Sequence, residues 1–155
     1  MRVFRRSAAM GIALGLIGLG ILGLGLTWVT WQACVGDPIS ELCYATMGRP
    51  AHLVPLQIIW LIGIGLATGA FAVARSIVER VLCVCALALV IGMNHLTEYA
   101  LWLVIVGGHW DVPPGTGYTQ AGALVVAGIL IAIGALLPSR PERRADDRRE
   151  ALPTA

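Results

Sequence analysis

The chain has 155 residues, 57% of them hydrophobic and 13% charged, with a mean hydropathy of +0.80; soluble domains run to roughly half apolar and about a quarter charged. An ordinary soluble domain is thereby excluded. A formal charge of +2, with no basic stripe interleaved by aromatics, gives no argument for nucleic acid and leaves the lipid bilayer as the first partner.

The opening "MRVFRR" precedes an apolar segment over residues 8–30, long enough to cross a hydrocarbon core about 30 Å thick. It exceeds the apolar run of a signal peptide and ends in "TWVTWQAC" rather than an A-x-A site, so it is expected to be retained. A lipoprotein reading of Cys34 fails on the bulky Trp31 and polar Gln32 before it. Gly11 and Gly15 make a small-x-x-x-small step, the spacing that lets helix backbones approach in lipid.

The following loop, "ACVGDPISELCYATMGRP", carries Cys34 and Cys43, and a disulfide between them is the natural expectation in an oxidising compartment. Trp31-x-x-Cys34 with Cys43 is similar to the claudin first-loop signature over about 15 residues, although the loop is too short for that family's extracellular strands. Trp31 and Arg49 here, with His109 and Asp111 of the later "GGHWDVPPG", are candidates for a docking surface on this side.

The second segment covers 53–74 and carries Gly65 and Gly69 at the same four-residue step. After the charged "ARSIVER" a third helix is expected over 81–106. Cys83 and Cys85, two residues apart, point in different directions and read as packing residues. The chain resembles quinone-coupled thiol oxidoreductases of the vitamin K epoxide reductase type only in being a four-helix membrane protein with cysteines, because their C-x-x-C is absent.

Inside that third segment lies "GMNHLTEYALW". On one continuous helix Asn94, Glu98 and Trp102 share a stripe at i, i+4 spacing, flanked by His95 and Tyr99. Counting about 1.5 Å per residue back from Gly107 puts this polar face near mid-membrane. An ionised acid there costs about 2.5 to 3.5 kcal/mol even on the lenient scale, so Glu98 is expected to be protonated, paired or facing a wet cavity. A proton shared with His95 is one form that pairing could take, and Gln57, Thr68 and Thr27 are candidate neighbours.

"PPGTG" breaks the chain before a fourth segment over 118–137, where Gly128 and Ala132 repeat the small-residue step. Residues 138–155, "PSRPERRADDRREALPTA", have almost nothing to bury and are expected to form a disordered cytoplasmic tail.

Orientation follows from the basic residues, all eleven of which are Arg. Arg2, Arg5, Arg6, Arg75, Arg80 and five in the tail fall on one side, and only Arg49 on the other. Both termini are therefore expected in the cytoplasm. Trp28, Trp31, Tyr44, Trp110 and Tyr118 gather at the opposite ends of the helices, where an aromatic belt belongs.

The fold expected is all-α: a polytopic four-transmembrane-helix bundle over 1–137. A di-metal or bis-histidine haem centre does not fit one intramembrane acid and one deep histidine, so no metal or cofactor is expected. Two functional readings remain. One is a non-enzymatic accessory or assembly subunit of a larger bacterial plasma-membrane complex. The other is a small transporter or proton-handling protein using Asn94, His95, Glu98 and Tyr99.

Overall fold

The computed structural model describes residues 2–107 and 111–137, and every regular element among them is helical. In chain order these are α1 (Arg2–Trp31), α2 (Glu41–Gly48), α3 (Leu53–Val73), α4 (Ile77–Gly92), α5 (His95–Leu101) and α6 (Tyr118–Leu136). A short 3-10 turn, Gln32–Cys34, follows α1, and a π-turn, Trp102–Val106, follows α5. The tail 138–155 and His109 lie outside the described residues.

α1, α3 and α6 are each long and apolar enough to cross a membrane, and α4 with α5 makes a fourth such span only as a pair bent by 57°. The continuous helix expected over 81–106 is thus interrupted. Its start moves back because Ser76 caps α4, its hydroxyl accepting from the Glu79 N–H at 3.1 Å, while the Glu79 carboxylate accepts from the Arg75 N–H at 2.8 Å, in the manner of a capping box. Its interior breaks at Asn94, whose side-chain oxygen accepts from the N–H groups of Leu96 and Thr97 at 2.9 and 3.0 Å. An asparagine so engaged starts a new helix instead of continuing the old one.

The four long helices form a ring in which α6 packs on α1 and α4, and α3 on the other sides of α1 and α4. Neighbours run antiparallel: Arg6 at the start of α1 reaches the carbonyl of Leu137 after α6, while Trp31 and His52 meet where α1 ends and α3 begins. Leu16, Leu56, Val90 and Leu124 fill the centre, surrounded by alanines such as Ala13, Ala86 and Ala127.

Backbones come closest between α1 and α6. A Cβ on Gly128 would sit 2.7 Å from the Ala13 carbonyl, and one on Gly20 would sit 2.8 Å from that of Ala121. Of the expected small-residue steps, only Gly128 makes such an approach. Gly11 and Gly65 face open space, and Gly15 and Gly69 meet only side-chain ends at 3.4 and 3.9 Å.

Candidate functional site

One end of the bundle gathers most of its buried polar groups: Thr27, His52, Asn94, His95, Thr116 and Gln120. They come from the last turn but one of α1, the start of α3, the α4/α5 break, the loop before α6 and its first turn. Each backbone interruption there leaves amides or carbonyls without helical partners, and the side chains supply them.

α6 shows this most directly. Its N-cap is Gly117, at φ +110°, which has no side chain to cap with. The Glu98 carboxylate does so from α5, accepting from the Gly117 N–H at 2.8 Å and the Thr119 hydroxyl at 2.9 Å. A negative group at the positive end of a helix dipole is favourable. Glu98 is half-buried and lies level with the first turn of α6, at an end of the bundle and not near its middle as a straight helix implied. The bend at Asn94 accounts for the difference.

His95 faces a different partner. Its backbone N–H and its Nδ1 both engage Oε1 of Gln120, at 3.1 and 2.7 Å, and the Gln120 Nε2 donates to the Leu56 carbonyl at 2.8 Å. Because Oε1 only accepts, Nδ1 carries the proton. The expected His95–Glu98 proton sharing is replaced by these two separate connections to α6. Tyr99, half-buried on α5, is also engaged.

A third set surrounds the Thr116 carbonyl, which receives the Trp31 indole N–H at 3.1 Å and Nε2 of His52 at 2.8 Å. The two rings meet edge to face, their centroids 5.3 Å apart. With Nε2 donating, His52 Nδ1 is a bare acceptor, and it is buried without a partner, as is the Thr27 hydroxyl. Burial pushes the His52 pKa below 6.5, against the Thr116 carbonyl bond that raises it; His95 adds to the lowering and Glu98 opposes it. Gly117 belongs to this set by necessity, since a Cβ there would lie 2.6 Å from Leu56 Cδ1 and 2.8 Å from Thr27 Oγ1.

The break is closed on its α4 side as well. The Val90 carbonyl receives the Trp60 indole N–H at 2.7 Å, and that of Ile91 receives the Asn94 amide at 2.7 Å. Above the network, Cys34 and Cys43 are joined in a disulfide, and the Val112 N–H bonds to the Met47 carbonyl at 3.1 Å, tying the loop before α6 to α2.

The docking candidates divide. Arg49 and Asp111 are exposed, whereas Trp31 is buried and turned inward to Thr116, so it is no part of an outer surface. Of the expected neighbours of Glu98, Thr68 is exposed and Thr27 lies in the network without reaching the acid. Sequence reasoning missed Gln120, Thr119 and Thr116, though "PPGTGYTQ" carries the signal of a polar helix start, and it placed His52 beside the outer loop where the structure buries it in the network. Among the described residues no three His, Cys, Asp or Glu side chains are placed to hold a metal ion.

No family model, no curated protein and no solved structure matches the chain. The class defined by the fold is that of all-helical chains with three or four helices fit to cross a membrane.

Proposed function

We propose that the chain is a four-span protein of a bacterial plasma membrane, with both termini cytoplasmic, that serves without catalysis as an accessory or assembly subunit of a larger complex. The observation that carries this reading is where the polar groups go. Asn94, His95 and Glu98, the residues available for chemistry, are engaged in holding α5 to α6 and α4. The faces left over are apolar: Leu14, Ile58, Val84 and Val104 are all more than half exposed, and Gly11, Gly18, Gly25 and Gly65 leave open space beside them. Such faces suit lipid and neighbouring transmembrane helices.

Purification in mild detergent, with native size and composition read by mass spectrometry, tests the proposal. A reproducible assembly containing other membrane subunits in fixed ratio is expected. A lone chain that is nevertheless active in proton flux would overturn it.

A proton-handling reading is favoured by one feature, the unpartnered Nδ1 of buried His52 within electrostatic reach of His95 and Glu98. Glu98→Gln separates the readings. The subunit role predicts normal assembly and function, because an amide oxygen can still accept from Gly117. Proton handling predicts normal abundance with loss of function.

A further inference from the structure

At the end of the bundle remote from the polar network, a groove of 460 Å³ opens between the start of α1 and the end of α6. Arg6 and Ser7 stand at its mouth, and Met10, Gly11, Leu14 and Ala135 line it. The floor has room to spare, since nothing lies within 4 Å of where a Cβ on Gly11 would be, and Leu14 is 62% exposed. Arg6 reaches across to α6 through a long bond of 3.4 Å to the Leu137 carbonyl. Among the described residues no carboxylate pairs with it.

We propose that this groove binds one anionic phospholipid, its phosphate on Arg6 and an acyl chain lying along Gly11 and Leu14. Two features must coincide for such a ligand, and both are present: an apolar trough between helices, and a guanidinium group, that of Arg6, lining it. Arginine is suited to the role because its planar fork matches phosphate oxygens, and basic pockets between transmembrane helices select anionic head groups. A zwitterionic lipid fits the trough but gains little from the arginine. The mixed-charge tail following Leu137 has few apolar residues to offer the floor. The inference rests on the reading that the bundle crosses a bilayer, and not on which way it faces.

The full-length chain, reconstituted in vesicles of equal phosphatidylglycerol and phosphatidylcholine, extracted gently and weighed by native mass spectrometry, provides the test. One phosphatidylglycerol should be retained in preference to phosphatidylcholine. Arg6→Gln should lower that retention about fivefold, the ratio equivalent to roughly 1 kcal/mol for one basic group at the membrane surface. Gly11→Leu should block the trough, whereas Gly18→Leu, which also points into open space, should leave retention unchanged.

Equal retention of the two lipids, or an unaltered Arg6→Gln variant, overturns the proposal. So does a gain in lipid binding on deleting residues 138–155, which would make the tail the occupant. Carbonate washing of membranes keeps the two readings apart: release of the chain overturns the bilayer reading and this site with it, while a chain that stays in the pellet but shows no lipid preference overturns the site alone.

Discussion

At the scale of single residues, the end network is built from side chains that replace missing helical partners, and this makes the costs of substitution unequal. Glu98→Leu removes the acceptor of the Gly117 N–H, and a buried unsatisfied donor costs about 1 to 3 kcal/mol; Glu98→Gln retains an acceptor. Thermal unfolding in detergent should show a clear loss for the leucine variant and a small one for the glutamine. Similar curves for both would mean that the bonds to Gly117 and Thr119 contribute little. His52 gives a pH dependence of definite sign. Its folded pKa is depressed by burial, so the stability it contributes is fully present above the unfolded value near 6.5 and lost as pH falls through the lower folded value. Protonation would place a second N–H, on Nδ1, where no acceptor is present. Wild-type stability should therefore fall more than that of His52→Gln as the pH drops below about 6.5. The difference between the two curves is the quantity to read, and parallel curves would remove His52 from the account.

At the scale of elements, hydrophobic runs and breakers placed α3 and α6 to within a residue of their observed ends, because such runs carry their own boundaries. The bend between α4 and α5 was harder to read. Gly92, Met93 and Asn94 follow an apolar run, and the stop and start signals that they carry compete with the helical spacing of Asn94, Glu98 and Trp102 that continues past them. The contacts of Gly117 and Gln120 were beyond reach, since the spacing within one helix says nothing about which groups face it from another. Asn94→Ala should remove the cap bonds to Leu96 and Thr97 and cost about 0.5 to 2 kcal/mol. Glycine content likewise showed that helices approach but not which glycines do so. Gly128→Val places methyl groups against the Ala13 backbone and Ile17 and should separate α1 from α6, at about 1 to 3 kcal/mol or more. Gly18→Val meets nothing within 4 Å and should be near neutral in the isolated chain. Equal losses for the two would contradict the packing of α1 on α6.

At the scale of the whole molecule, the two ends of the bundle differ in kind. One carries the starts of α1 and α4 and the ends of α3 and α6, and there Arg5, Arg6, Arg75 and Arg80 lie. The other carries the Cys34–Cys43 disulfide, the buried network and Arg49. The end of α6 lies at the same end of the bundle as the start of α1, where Arg6 meets the Leu137 carbonyl. Since arginine is retained on the cytoplasmic side during insertion, and disulfides persist in oxidising compartments, the arginine end should face inward and the disulfide end outward. These two arguments depend on different chemistry, one on charge transfer across the bilayer and the other on redox state. A reporter active only outside the cytoplasm should give a strong signal when fused after Trp110 and none when fused after Leu137. Alkylation of intact membranes should leave Cys34 and Cys43 unlabelled until a reductant is added. If the reporter pattern reverses, the arginine rule does not govern this chain; if the reporter holds but the cysteines label without reductant, the orientation stands and the disulfide does not form in the cell.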